Sequence, residues 1–199
     1  MTTPATYHHG DLRAALVRAA LELLEDDRGA DVSLRAVARR AGVAPSAPYR
    51  HYADREALLS AVAADGYLEL ARTLARVNPS PATADDLAAV AAAYVQFALR
   101  RPALFRVMFG RPCDRDRAER VEATAAVSAY VTTIVTRAFP AAPDPEALST
   151  AIWALVHGLA FLHLDGKLDA SNPRRVAARV RAAVRAALAA PAALTPGIG

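Results

Sequence analysis

The sequence has almost no cysteine and almost no lysine. Cys113 is the only cysteine and Lys167 the only lysine among its 199 residues. A single cysteine excludes a disulfide framework within the chain and a zinc site built on several cysteines. It favours a reducing compartment, which we expect to be the cytoplasm. We expect no cofactor and no metal site.

Long apolar runs and strong charge are also missing. We identify no apolar run near the roughly 20 residues that a membrane span needs, so we expect no membrane partner. The N-terminal stretch MTTPATYHHGDLRAAL lacks the pattern of a signal peptide. The net charge of +4 permits a nucleic-acid partner without demanding one. With 54% hydrophobic residues, the chain can build a sizeable core.

Patterns typical of β-strands are nearly absent. Apolar residues recur at helical spacing and prolines separate the apolar stretches, which predicts an all-α protein. We expect a three-helix helix-turn-helix domain over residues 1–56, joined by a fourth helix to a larger helical domain over residues 57–199. The predicted helices cover Gly10–Asp27, Leu34–Arg40, a two-turn piece from Ala44 or Pro45, Arg55–Val77, Asp86–Leu99, Pro102–Phe109, Asp116–Phe139, Glu146–Leu164 and Arg174–Ala190.

The spacing of Ala38, Gly42 and Val43 predicts a tight crossing of two short helices. Ala38 lets the helices approach, Gly42 supplies a left-handed backbone that ends the second helix, and Val43 fills the joint. This pattern indicates a helix-turn-helix, although any corner between two helices can show it.

The short third helix is the candidate DNA reader. If it begins at Ala44 or Pro45, both Pro45 and Pro48 fall within its first turn, where missing N–H groups cost little. A helix this short does not build a core; it projects side chains that reach phosphates or base edges in a major groove. Residues 33–55 hold five arginines and one acid, a net charge of +4, whereas residues 1–60 are neutral. A solvated helical face could carry such charge, but together with the turn it favours DNA.

The segment VSLRAVARRAGVAPSAPYRHYADREALLSAV, from Val32 to Val62, resembles the helix-turn-helix of TetR-type transcriptional repressors. That family has an Ala-x-x-x-Gly-Val turn, then Tyr-x-His followed by an aromatic residue, then a basic and an acidic residue that open the fourth helix. Ala44 and Pro48 depart from the pattern, because a capping serine and an aliphatic residue are common there. The matching residues are Ala38, Gly42, Val43, Tyr49, His51, Tyr52, Arg55 and Glu56.

The resemblance implies a homodimer on a palindromic operator in double-stranded DNA. The N-terminal arm YHHGD could also reach the duplex, but the adjacent His8 and His9 have no third ligand and make no metal site. The implied DNA contacts are Ser33 and Arg35 on phosphates, Ser46, Ala47 and Arg50 nearest base edges, Tyr49 and His51 on phosphates, and Arg55 on the backbone.

The second half resembles the ligand-sensing and dimerisation part of the same family, of the type marked by Trp, His and Gly. The segments AIWALVHGLAFLHLDGKL and RPALFRVMFG carry this likeness, the first through Trp153, His157 and Gly158. Trp153 and His157 are four residues apart and share a helix face. We predict a small-molecule site there, although the same residues could form plain core. The predicted ligand-binding residues are Phe105, Met108, Phe109, Trp153 and His157.

Two helices of the second half carry narrow apolar stripes. The first stripe has heptad-like spacing, and a second stripe lies on the last helix. Two such helices per subunit would make a four-helix dimer interface, as a palindromic operator requires. The predicted interface residues are Leu148, Ile152, Leu155, Leu159, Leu162, Val176, Val180 and Val184.

We therefore interpret the chain as a transcriptional regulator, a repressor released by a small-molecule effector, and not as an enzyme. Two alternatives stay open. One is a helical interaction module without DNA binding. The other is an enzyme using His157 with Asp165 or Cys113, which no nucleophile–base set or phosphate loop supports.

Overall fold

The computed structural model describes residues 9–26, 32–110 and 118–193. Within these ranges the chain forms eight α-helices and one 3₁₀ turn, with no strand, so the all-α prediction is confirmed. The elements are α1 (His9–Asp26), α2 (Leu34–Arg40), the 3₁₀ turn (Pro48–Arg50), α3 (Arg55–Val77), α4 (Ala84–Arg100), α5 (Pro102–Phe109), α6 (Ala118–Ala138), α7 (Pro145–Leu164) and α8 (Pro173–Ala193).

Capping side chains set several helix starts. The Ser33 hydroxyl accepts a hydrogen bond from the backbone N–H of Ala36 at 3.2 Å and begins α2. Thr83 and Asp86 cap each other's backbone N–H groups at the start of α4. Because such signals are local, every predicted helix except the short third one is present within three residues of its expected bounds.

The described helices separate into two units. The first unit contains residues 1–67 and 103–123, and the second contains residues 68–102 and 124–199. The division falls inside α3, between Tyr67 and Leu68, whereas the sequence predicts a boundary between residues 56 and 57. Consequently α5 belongs to the same unit as α1, α2 and the first part of α3.

Close packing at Gly66 explains why α5 belongs to the first unit. A Cβ atom at Gly66 would lie 2.7 Å from Met108 Sδ and 2.8 Å from Leu104 Cδ1, so a larger residue would force those side chains to shift. The buried Tyr67 hydroxyl donates a hydrogen bond to the Met108 carbonyl at 2.9 Å. These contacts hold α5 against α3.

In the second unit, α4 packs against both α7 and α8. Its buried residues occupy most of its circumference, which is typical of a helix enclosed by neighbours. On α8, Val176, Val180 and Val184 are completely buried within the chain. A side chain with no exposed surface cannot contact a second subunit. This part of the predicted dimer interface is therefore wrong, and the three valines are internal core.

Among the described helices, α7 is long and apolar enough to cross a membrane by length and composition alone, contrary to the sequence-based expectation. Only 33% of its most apolar stretch is buried inside the chain. One side of α7 packs against α4 and α8, whereas Ala147, Ala151, Ala154 and Gly158 are exposed within the described part of the chain. A second protein surface would remove that apolar side from water as well as lipid would.

Candidate functional site

The turn after α2 has the geometry expected of a helix-turn-helix. Gly42 has a φ of 68°, the left-handed conformation that ends many helices. The Val43 N–H donates to the Ala38 carbonyl at 3.0 Å, and the Gly42 N–H donates to the Arg39 carbonyl at 3.3 Å. These two bonds form a Schellman motif, which satisfies the last carbonyls of α2 and reverses the chain.

The segment after this turn differs from the predicted two-turn helix. Only Pro48–Arg50 forms a helical element, and it is a single 3₁₀ turn. Ala47 N–H bonds the carbonyl of Ala44, and Arg50 N–H bonds that of Ala47, both three residues back. Pro48 has no N–H to continue an α-helix, and its ring would clash with the carbonyl four residues earlier. Residues 44–52, which we call the reading segment, are therefore a chain of tight turns.

These turns separate inward from outward side chains. Pro48 and Tyr52 are buried, whereas Arg50 is exposed and Tyr49 is 53% exposed. Pro48 thus packs inward, as would the aliphatic residue that is common at this position in the resembled pattern. His51 is half-buried. Because the buried residues fix the backbone, the Tyr49 and Arg50 side chains project from a firmly held support.

Two of the predicted DNA contacts are already bonded within the chain. The Ser33 hydroxyl accepts at the α2 start, but a hydroxyl that accepts can still donate its hydrogen to a phosphate. Arg55 Nε donates to the Val32 carbonyl at 3.1 Å, and its guanidinium pairs with Glu56 at 2.9 Å. Arg55 therefore joins the start of α3 to the chain just before α2, and its role on DNA stays a prediction.

The arginines of residues 33–55 do not all face solvent alike. Arg40 pairs with Asp26 at 2.8 Å and with Glu22 at 3.4 Å, which holds α2 against α1. Arg35 and Arg39 are exposed on α2, and on the turns that follow Ser46 is exposed and Ala47 is half-buried. Arg39 is not among the predicted contacts, although it is an exposed cation in the last turn of α2.

A cavity of about 460 Å³, its open mouth included, lies within the second unit. Of the five predicted ligand-binding residues, only Trp153 is among its lining residues in the part of the chain that the structure describes. Phe105, Met108 and Phe109 belong to the first unit, where the Phe105 and Phe109 rings lie 4.7 Å apart. The lining residues are Leu74, Leu87, Val90, Ala91, Tyr94, Val127, Tyr130, Val131, Ile134, Val135, Ile152, Trp153 and Val156.

His157 adjoins this lining through a hydrogen bond. Its Nδ1 lies 2.9 Å from the hydroxyl of Tyr94, one of the lining residues. Its ring also lies 6.3 Å from Trp153 and 5.0 Å from Phe161, centroid to centroid. Burial lowers the pKa of His157, so the ring is neutral at neutral pH.

The cavity tyrosines were missed by the sequence analysis. Tyr94 and Tyr130 stand among alanines and valines at helical spacing, a pattern equally typical of plain core. For the enzyme alternative, Asp165 is the residue that ends α7, and Cys113 lies outside the described residues, as does the arm before α1. The described residues contain no group of three or more metal-ligating side chains placed to hold an ion.

Two family models match the chain. One, described as bacterial regulatory proteins of the tetR family, matches residues 16–62, which include α2, the reading segment and the start of α3. The other, described as a tetracyclin repressor-like C-terminal domain, matches residues 87–190. The second match includes most of α4, all of α5, α6 and α7, and most of α8.

Individual proteins agree with these matches. The HTH-type transcriptional regulator Rv1816 of Mycobacterium tuberculosis is 34% identical over 104 residues, 51% of this chain and 44% of that protein, so the chain spans less than half of the curated relatives it matches. A solved structure of a protein with unknown function from Rhodococcus sp. RHA1 is 37% identical with a TM-score of 0.75, covering 91% of this chain and 97% of that one. A TetR-like transcriptional regulator from Rhodococcus sp. RHA1 shares the fold at 14% identity, with a TM-score of 0.68 over 92% of this chain and 99% of that one. The chain belongs to the TetR family of bacterial transcriptional regulators.

Proposed function

We propose that the chain is a homodimeric repressor that binds a palindromic operator and leaves it when a small-molecule effector binds. The observation that carries this proposal is the tight turn after α2, which presents Tyr49 and Arg50 to solvent from a buried anchor. Exposed Ser46 is small enough for close approach to a major groove, where Arg50 can read base edges. Such a regulator acts on chromosomal DNA in the cytoplasm.

The charge distribution supports a DNA partner. Exposed Arg35, Arg39 and Arg50 all belong to α2 and the reading segment. Each arginine that neutralises a phosphate releases counterions, so operator affinity should fall steeply as salt is raised. Arg40 serves a different purpose, because its ion pairs with α1 hold the reader together.

The uncovered side of α7 supports a dimer. Ala147, Ala151, Ala154, Gly158 and Leu162 are all exposed, and their spacing places them on one helical face. This face is rotated from the predicted seam, in which Ile152 and Leu159 are only 8% exposed within a single chain. Small residues would let α7 of one subunit approach the other subunit closely, and a two-fold pair presents two readers to a palindrome.

The cavity supports effector release, because its wall includes part of α3. Leu74 near one end of α3 lines the cavity, and Arg55 at the other end contacts the chain before α2. An effector that displaces Leu74 would move α3 and thereby alter the reader. The effector must bind the DNA-incompetent arrangement more tightly than the DNA-competent one. Equal affinity for both would not change the equilibrium between them. Coupling of this kind usually changes operator affinity about 5- to 150-fold.

The decisive test is DNA binding by the wild type and by reader variants. We expect the wild type to bind DNA from its own upstream region in fluorescence anisotropy at stated salt. Tyr49→Ala and Arg50→Ala should each lose roughly 1–3 kcal/mol of binding free energy while the dimer persists. Arg72→Ala is the matched control, because it removes an exposed arginine of α3 outside the reader.

Two results would contradict the proposal. If wild-type protein binds no DNA more tightly than an unrelated duplex, the interaction-module alternative replaces it. If both reader variants bind like the wild type, or Arg72→Ala loses as much as they do, the assignment of the reading segment is wrong.

A further inference from the structure

Two residues that line the cavity carry polar atoms without a hydrogen-bond partner in the described part of the chain. They are the indole Nε1 of Trp153 and the hydroxyl of Tyr130, and both atoms are shielded from bulk water. An indole N–H can only donate, and a phenol can donate its hydrogen. A buried donor without an acceptor is unfavourable, because it has lost water and gained nothing. The cavity wall therefore contains two hydrogen-bond donors that lack an acceptor among the described residues.

The rest of the wall offers no charge. Apart from these two residues and Tyr94, the lining side chains are aliphatic. The Tyr94 hydroxyl already bonds His157, whose ring is neutral because burial lowers its pKa. Burial also raises the pKa of Tyr130, so its hydroxyl keeps its hydrogen at neutral pH. An ionic guest would meet no opposite charge in this wall.

We infer that the effector is an uncharged, mostly apolar small molecule whose carbonyl oxygen accepts hydrogen bonds from Trp153 and Tyr130. Ketones, esters and lactones have this chemistry, and one carbonyl oxygen has lone pairs for two donors. A carboxylate or an ammonium group would lose its water without compensation among the aliphatic side chains. A hydrocarbon would fill the space but leave both donors unpaired. This inference rests on the proposed effector site.

Three probes of similar length test the chemical class by isothermal titration calorimetry near neutral pH. They are methyl hexyl ketone, octanoate and octylammonium. We expect the ketone to bind at least about 10-fold more tightly than either ion, because only the ions must give up charge hydration. Equal or tighter binding of an ion, or no measurable binding of the ketone, would overturn the inference.

Conservative variants test the two donors. Trp153→Phe and Tyr130→Phe keep an aromatic ring and remove one donor each, so each should weaken ketone binding about 3- to 10-fold without strengthening ion binding. Tyr67→Phe is the matched control: it removes a buried hydroxyl bonded to Met108 in the first unit and should leave ketone affinity unchanged. Unchanged ketone affinity in both donor variants would sink the inference.

Two further measurements separate the possible failures. Trp153 is the only tryptophan, so its fluorescence reports ketone binding to Tyr130→Phe even if Trp153→Phe does not fold. Operator binding is measured on the same wild-type preparation. Operator binding without a ketone preference contradicts the effector class alone, whereas loss of operator binding in the wild type contradicts the proposed regulator.

Discussion

The reading segment and the cavity treat their polar groups in opposite ways. Around the reading segment, Ser33 and Arg55 are bonded to neighbouring backbone, and the side chains offered to a partner stand in solvent. In the cavity wall, the donors of Trp153 and Tyr130 are shielded from water and have no partner among the described residues. DNA is large and charged, so its reader must be accessible and prearranged. A small effector can be enclosed, and its wall can hold donors that only the guest satisfies.

The two regions also depend on different forces. The reading segment is held by a left-handed glycine, a Schellman motif and the buried Pro48, so its geometry depends on individual backbone bonds. The second unit is held by apolar packing around α4, so it depends on volume and on the exclusion of charge. Substitutions that act on backbone geometry should therefore harm the first region most, and buried charges the second.

The largest effect should come from a charge in the second core. Val180→Asp places a carboxylate at a fully buried position of α8, which should cost about 3–5 kcal/mol and unfold the second unit. Val121→Asp makes the same chemical change at a valine that is 46% exposed, and surface changes usually stay within about 0.5 kcal/mol. Urea unfolding followed by circular dichroism measures both. Similar midpoints for the two variants would show that α8 does not pack as described.

The next effect concerns the face of α7. Leu162→Arg puts charge on the face proposed to meet the second subunit and should weaken the dimer by roughly 2 kcal/mol or more, while each chain stays folded. Leu68→Arg is the matched control, because Leu68 is 49% exposed on α3 and Leu162 is 44% exposed on α7. Sedimentation equilibrium distinguishes them. A dimer that survives Leu162→Arg, or is lost equally in Leu68→Arg, places the interface elsewhere.

The outcome of the two dimer stripes shows where sequence patterns stop being informative. The valines of α8 and the apolar residues of the predicted α7 seam each form a narrow apolar stripe. Spacing identifies a face that must be covered, but not what covers it. In the structure α8 packs against α4 and α7, so its valines are buried within the chain, and the uncovered face of α7 consists mainly of alanine and glycine. That choice depends on contacts between residues far apart in sequence.

Local sequence signals were much more informative about α2 and the turn that follows it. Ser33 and Gly42 begin and end α2 as predicted, because caps act within a few residues. The third helix is shorter than predicted, since a proline is tolerated in the first turn of a helix and breaks the helix just beyond it. Pro48 lies at that limit. For the cavity, the unpartnered state of Trp153 Nε1 depends on every neighbouring element and has no local signal.

A smaller effect tests the backbone at Gly42. Gly42→Ala should cost about 1–2 kcal/mol, because a φ of 68° is strained for any residue with a Cβ atom. Gly158→Ala is the control: an added Cβ meets no atom of the chain at either position, but Gly158 is helical. Alanine there should stabilise the chain by about 0.5–1 kcal/mol. Each change is made in Leu162→Arg protein, which should be monomeric, so that dimerisation does not affect the result. The two unfolding temperatures are then compared with that of Leu162→Arg alone. Shifts of the same sign would contradict the prediction.

The smallest effect should be a pH dependence arising in the second unit. Burial lowers the pKa of His157 and His163 below the ordinary 6.5, and nearby Arg179 lowers that of His163 further, against an opposing effect of Asp169. Well above pH 6.5 both rings are neutral in the folded and unfolded chain, so they contribute no pH dependence there. As pH falls below that value, the unfolded chain takes up protons that the folded chain does not. The free energy of unfolding therefore decreases as the solution becomes acidic.

His163→Leu tests this origin, because the histidine is only 3% exposed and leucine is apolar and does not titrate. The midpoint temperature of thermal unfolding should fall when the pH is lowered from about 7.5 to about 5.5. The decrease should be smaller in the variant than in the wild type. The carboxylates of Asp86 and Asp169 do not obscure the comparison. Backbone N–H groups of Ala82 and Ser171 hold their pKa values below 3.8, so the stability they contribute is lost only at lower pH. Circular dichroism measures both midpoint temperatures. An equal decrease in the wild type and in His163→Leu would exclude His163 as the source of the pH dependence. His157 would then be tested by His157→Gln, whose amide can still bond Tyr94.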